Sequence, residues 1–271
     1  MPNHVTNILT IKVKENNLFS SEKVQEVIKL LLDENNNVTF NNILPMPEEL
    51  KDTTSPTRVV TQEEYEEAVK KREEEIKNGN DFLMSLPITK EMQFELISKY
   101  GVDNWYDWAL VNWGTKWGAY NGYKIDDDML VFNTAWDSPF SAIAKLSKLY
   151  PELLFNVKYA DEDFGCNVGQ YTFNDGEFVD EYTPEDGSIE AIKMAIEIQG
   201  GEYHLSDMIY DLSEEDIEEK YYNTFLQIIL KDEIIDENYP SLVNEYLLKQ
   251  AVENEQFEYA SKLRDIIRVE N

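Results

Sequence analysis

Met129–Tyr159 reads MLVFNTAWDSPFSAIAKLSKLYPELLFNVKY, and its three parts decide the fold. Met129–Trp136 reads as a strand. Ser138 is placed to cap a helix, and Pro139 suits its first position because that residue's N–H has no partner in the helix. SPFSAIAKLSKLYP therefore predicts a helix, and Leu153–Tyr159 a further strand. Strand, helix and strand in 31 residues form half of a small α+β unit.

The other half lies near the start. His4–Val13 (HVTNILTIKV) alternates apolar and polar residues with β-branching, as a half-buried strand does. Ser20 or Ser21 can cap a helix through SEKVQEVIKLLLDE, where Val24, Val27, Ile28 and Leu31 recur at helical spacing. Val38–Phe40 reads as a short second strand, stopped by Pro45 and Pro47. Thr61–Lys77 predicts a charged, solvated helix stopped by NGN, and Thr89–Tyr100 a helix ended by Gly101. GQYTFNDGEFVDEY is a hairpin turning at Asn174, Asp175 and Gly176. The order is that of a split βαβ, ferredoxin-like α+β domain over residues 1–183, carrying a helical insertion at about 61–110. Residues 184–271 predict only helices, an acidic all-helical C-terminal extension closing in a hairpin at 241–271.

Composition narrows the function classes. The chain of 271 residues is 42% hydrophobic, which permits a substantial packed core. No apolar run is long enough to span a membrane, and the start lacks the basic and apolar regions of a secretory signal, so a cytoplasmic location is expected. One cysteine forms no internal disulfide, and two histidines with one cysteine assemble no zinc set. The net charge is −30, from 54 acidic and 24 basic residues. Residues 184–271 hold 22 acids and 7 bases, which is half of that excess. Such a surface repels phosphates and anionic lipid and steers toward basic partners.

Five separated pieces carry a family resemblance: MPNHVTNILTI, FNNILPMPEEL, WYDWALVNWGTKWGAY, FNTAWDSPFSAIAKLSKLYPELLFNVKYADED and DGEF. In this order they resemble the YubB ferredoxin-like family of plasmid and phage proteins over about residues 1–182. The resemblance implies a ferredoxin-like domain carried on mobile elements and transfers no catalytic residues. Where that family often has Asn-Trp-Cys near its start, this chain has Asn3, His4 and Val5. LLKQAVENEQFEYASKLRDIIR near the end is similar to the UVR motif of the excision-repair proteins UvrB and UvrC. That likeness implies a two-helix hairpin bending near Asn254–Gln256, with Phe257, Ala260, Leu263 and Ile267 facing the first helix. It also implies protein contact through Phe257, Leu263, Arg264 and Ile267, including a homodimer.

Asn112–Tyr120 (NWGTKWGAY) poses the sharpest question of function. Trp113, Lys116 and Trp117 can be read as a stacking platform for unpaired bases, each stack worth ~1–3 kcal/mol. Alternatively the tryptophans pack the insertion onto the sheet, with Gly114 and Gly118 allowing close backbone approach. Packing is favoured, because Lys116 and Lys124 are opposed by Asp103, Asp107 and Asp126–Asp128 and no basic groove results. The carboxylates of IDDDML and YADEDFG lack the spacing of a calcium loop. Cys166 sits beside Asp161–Asp163, surroundings that blunt a nucleophile. No nucleophile–base pair, phosphate loop, cofactor signature or metal set is recognised.

The acids remain. Spread over roughly 12,000 Å² of surface, −30 is about one charge per 400 Å². Duplex DNA has about one per 100 Å². Uniform mimicry of DNA fails, so any mimicry must be concentrated. The candidate carboxylates are Glu214, Glu215, Asp216, Glu218, Glu219, Asp232, Glu233, Asp236 and Glu237. The expected function is that of a non-enzymatic, mobile-element binding protein, a counter-defence inhibitor of the anti-CRISPR or anti-restriction type. Its partner would be a host or defence protein whose basic, nucleic-acid-binding surface it occupies. A single-stranded nucleic-acid-binding module and an unrecognised enzyme are the alternatives.

Overall fold

A computed structural model describes residues 2–14, 20–79, 85–199, 230 and 241–270. Its main sheet has six strands in the order β4-β5-β1-β6-β7-β8. The strands are β1 (His4–Val13), β4 (Tyr120–Asp126), β5 (Met129–Ala135), β6 (Leu153–Asp161), β7 (Val168–Asn174) and β8 (Glu177–Tyr182). Helix α1 (Ser20–Leu30) follows β1, and α6 (Phe140–Leu149) joins β5 to β6. β1, α1, β4, β5, α6 and β6 therefore run as βαββαβ, with the sheet order of the ferredoxin-like fold. β7 and β8 extend that sheet by a hairpin turning at Asp175 and Gly176, both at positive φ.

The first core strand shows why this register is fixed. β1 buries Val5, Asn7, Leu9 and Ile11 on one face, and pairs antiparallel to β5 with Asn7 opposite Phe132 and Leu9 opposite Leu130. A one-residue slip would turn that whole set to the other face. α1 lies against β1 and buries Val24, Val27 and Ile28, while α6 buries Ala142, Ile143 and Leu146. Fully burying a leucine or phenylalanine of this set contributes about 1.5–3 kcal/mol before entropy is counted.

Two local expectations are corrected. Val38–Phe40 is not the second strand; Val38 makes only an isolated bridge to Leu32. Tyr120–Asp126 takes that place, and Val38 instead sits on its face against Gly122. Phe40 is buried edge-on to Phe132, 5.7 Å between ring centres. Ser138 does not cap α6 either, because the helix starts at Phe140 with no side-chain cap. Its hydroxyl turns inward to Asn7 and Tyr171.

Between α1 and β4 lie α2 (Glu48–Lys51), β2 (Val59–Val60), α3 (Gln62–Lys77), β3 (Ile88–Thr89), α4 (Lys90–Tyr100) and α5 (Trp105–Asn112). β2 and β3 pair in parallel. α3 begins with a reciprocal capping box between Thr61 and Glu64 and buries no residue, as its charge predicts. α4 is capped by Thr89 and ends at Gly101 in the left-handed conformation.

The chain divides into two compact units, Met1–Val157 with Tyr171–Asp180, and Lys158–Gln170 with Glu181–Asn271. In the second, α7 (Ile189–Gln199) buries Ala191, Ile192, Ala195 and Ile198. α8 (Ser241–Glu253) and α9 (Phe257–Glu270) form a hairpin whose bend places Glu255 at positive φ. Leu247, Ala251, Tyr259, Ala260 and Leu263 are buried. Phe257 does not face α8, contrary to expectation, and is 67% exposed. The part of the expected helical extension at 200–229 and 231–240 lies outside the described residues. Among the described residues no helix is long and apolar enough to cross a membrane.

A candidate binding surface around Lys116

The NWGTKWGAY stretch splits into an inward and an outward half. Asn104 caps α5 by accepting from the Asp107 N–H, and its amide donates to Thr57, Asp103 and Asp107. The carboxylate of Asp103 also accepts from Gln93 and Thr57. Burial pushes Asp103 up, and the hydrogen bonds from Gln93, Thr57 and Asn104 outweigh it, leaving the group below the usual range. With its N-terminus held in this way, α5 delivers Trp108 and Trp113 into the core. Their rings meet edge to face at 5.1 Å, and the Trp113 indole N–H donates to the Leu44 carbonyl. Trp113 is buried, so it is no part of any platform.

Gly114 then reverses the chain at φ +84°. A Cβ there would lie 3.2 Å from the Ser141 nitrogen and in a conformation that side chains rarely adopt, so glycine is needed on both counts. Thr115 is buried and donates to the Trp117 carbonyl at 2.7 Å. Lys145 crosses from α6 to Asn112 Oδ1 at 2.7 Å, and burial pushes its amine down. The segment is thus tied down on both sides of Lys116.

Lys116 and Trp117 emerge from this anchor. The Lys116 ammonium lies 4.9 Å from the Trp117 ring centre and 4.6 Å from that of Trp136. Both are cation–π distances. Trp136 is 43% exposed and has φ +73°, a rare conformation for a bulky side chain. Such strain costs of order 1–3 kcal/mol and persists where the surroundings over-determine it. Here the Trp136 N–H donates to the Asn3 carbonyl, and the ring meets Tyr106 edge to face at 6.1 Å. On the other side Trp117 meets Tyr120, whose hydroxyl bonds His4 Nδ1 and the Thr134 carbonyl. The result is a partly exposed aromatic surface with one cation at its centre. Trp136 has no place in the sequence reading of this site, because a strand assignment hides a side chain thrown outward by its backbone.

The other sequence candidates fall elsewhere. Glu214, Glu215, Asp216, Glu218, Glu219, Asp232, Glu233, Asp236 and Glu237 lie outside the described residues. Leu263 is buried in the α8–α9 hairpin, whereas Phe257 is exposed, so the two share no face. The Arg264 guanidinium donates to Ser261 on its own helix, and Ile267 is half-buried. Asp126 accepts from the Asp127 backbone and Asp127 pairs with Lys124. Asp161 accepts from the Asp163 N–H and the Asn167 amide. Among the described residues no group of three or more histidines, cysteines or acids is placed to hold a metal ion.

Comparison with known proteins adds a family of domains. Residues 112–222 match the family described as the ferredoxin-like domain in Api92-like protein, a span from the end of α5 through α7 and beyond. The domain is ferredoxin-like. The matching description names a fold and no activity. The chain is also similar to a solved structure, a protein api92 from Yersinia pseudotuberculosis, at 11% identity and a TM-score of 0.30. That similarity covers 68% of this chain and 99% of the other. No curated protein matches the chain.

Proposed function

We propose that the protein is a non-enzymatic binding protein that engages a basic surface of another protein, one that otherwise binds nucleic acid. The charge carries this reading: −30 overall, with 22 acids against 7 bases in residues 184–271. A ligand so charged is attracted to the same surfaces as DNA or RNA and is repelled by nucleic acid itself. The resemblance to the YubB family of plasmid and phage proteins supplies the setting, a bacterial cytoplasm. There a counter-defence inhibitor, of the anti-CRISPR or anti-restriction type, has such targets. The acidic segment 184–271 is the proposed contact element. The C-terminal hairpin, read as UVR-like, is a second one through its exposed Phe257, and its partner is either the target or another copy of this chain.

A second reading is favoured by one observation. Trp117 and Trp136 are partly exposed beside a lysine, the arrangement of a module that stacks unpaired bases and holds their phosphates.

The two readings separate by affinity capture from a nuclease-treated lysate of a host with intact CRISPR and restriction systems. The first expects a basic protein retained at low salt, released by added duplex DNA, and no retention of the chain itself on single-stranded DNA. Retention on single-stranded DNA that Trp117→Ala abolishes would establish the second and overturn the first.

A further inference from the structure

Lys116 stands out in a protein with 30 more acids than bases. Its ammonium makes no ion pair with a carboxylate among the described residues, and instead lies over two indoles at 4.9 and 4.6 Å. Tryptophan is the strongest aromatic partner for a cation, and two ring faces converging on one charge make a site for a cation. The indoles are not held there by Lys116. The backbones beneath them are fixed, Trp117 by the Thr115 hydroxyl donating to its carbonyl and Trp136 by its N–H donating to the Asn3 carbonyl, and the rings meet Tyr120 and Tyr106 edge to face. The pair is therefore preorganised, while a lysine side chain is flexible and strongly hydrated and leaves such a site readily.

We propose that Trp117 and Trp136 form a clamp for an arginine side chain of a basic partner protein, and that Lys116 fills it in the free protein and is displaced on binding. A planar guanidinium stacks on an aromatic face better than an ammonium does and gives up less hydration. The segment that carries both indoles is acidic, with 14 acids and 5 bases over residues 101–183, which favours a cationic partner over a phosphate. This clamp rests on the reading of the protein as a ligand for basic proteins. It adds a defined contact within the first compact unit to a charge that otherwise acts at long range.

The test is binding of a fluorescent arginine–glycine repeat peptide to the full chain at low and at moderate salt, with a citrulline version as the uncharged control. Removing the competing lysine by Lys116→Met should tighten peptide binding about 3-fold, and Trp136→Ala should weaken it about 5-fold. Trp136→Phe, which keeps a ring, should fall between wild type and alanine. Lys116→Met is an exchange of similar shape outside the core, so it decides the matter even if a tryptophan variant misfolds. Unchanged or weaker peptide binding by Lys116→Met overturns the clamp. Salt-sensitive peptide binding indifferent to all these substitutions overturns the clamp and leaves the acidic-surface reading standing. No peptide binding at all removes both. Single-stranded oligonucleotide binding that weakens in Lys116→Met also overturns the clamp, in favour of base stacking.

Discussion

Ser138 Oγ donates to Asn7 Oδ1 at 2.7 Å, joining positions 131 residues apart inside the core. Because that hydroxyl donates to Asn7, its second contact, the Tyr171 hydroxyl at 2.9 Å, is the donor toward it. The Asn7 amide donates in turn to Thr134 Oγ1 and to the Val5 carbonyl. β1, β5, the start of α6 and β7 are thus tied by one satisfied polar network. Its satisfaction is what lets a fully buried asparagine persist.

Asn7→Leu should cost about 1–3 kcal/mol, since it strips partners from two buried hydroxyls. Ser138→Ala should cost about 1 kcal/mol, because it frees only one acceptor and one donor to rearrange. Urea unfolding reads both as lower midpoints at unchanged slope. A neutral Asn7→Leu would mean that the network does not set the core.

Gly122 is required by space. A Cβ there would lie 2.6 Å from the Val38 side chain and 2.9 Å from Phe132. Gly122→Ala should destabilise by about 1–3 kcal/mol as an overpacked core. Adding Val38→Ala should recover part of that loss, although Val38→Ala is itself destabilising. A double-mutant cycle with no coupling would contradict the packing of Val38 on β4.

The α8–α9 hairpin makes opposite predictions for two of its apolar residues. Leu263 is fully buried, so Leu263→Ala should cost about 2–5 kcal/mol, in the range of core truncations. Phe257 is 67% exposed, and Phe257→Ala should change thermal stability by no more than about 0.5 kcal/mol. If Phe257→Ala nonetheless abolishes self-association in sedimentation, its exposed ring is the contact. Equal destabilisation by both would refute the described hairpin packing.

Glu49 joins α2 to α4. Its carboxylate accepts from Lys99 at 2.6 Å and from the Tyr100 hydroxyl at 3.1 Å. The Lys99 hydrogen bond, with the backbone and Tyr100, lowers it from 4.5 to about 2, and Lys99 is raised in return. A depressed carboxylate stabilises the fold above its unfolded value, and that contribution is lost as pH falls from about 4.5 through about 2. The pair is at the surface, so the effect on global stability is small. Side-chain carboxyl NMR should show Glu49 titrating well below the ordinary glutamate value, and moving back toward it in Lys99→Met, where the backbone and Tyr100 hydrogen bonds remain. An ordinary titration in wild type would remove the pair.

The strands that alternate or run apolar were legible: His4–Val13, Met129 to Ala135, and Leu153 onward all lie in the sheet. So was the hairpin turn, because Asp175 and Gly176 carry the positive φ that their residue types announce. Tyr120–Asp126 was not. It is an edge strand with five of seven residues exposed and two register shifts against β5, so it has no period to read. Val38–Phe40 mimicked a strand because two apolar residues flank a threonine, yet both side chains serve the core from an irregular segment. The binding surface was half legible. Lys116 and Trp117 stood in a conspicuous stretch, but burial of Trp113 depends on Leu44 and Trp108. Exposure of Trp136 depends on a backbone angle that no tryptophan predicts.

The most direct measurement of the central claim is displacement. A labelled duplex is bound to the basic protein recovered by capture, and this chain is added while duplex release is followed by fluorescence anisotropy. Occupation of the nucleic-acid-binding surface predicts full release at near-stoichiometric protein, weakening steeply with salt. A stable ternary complex of duplex, partner and this protein would contradict it.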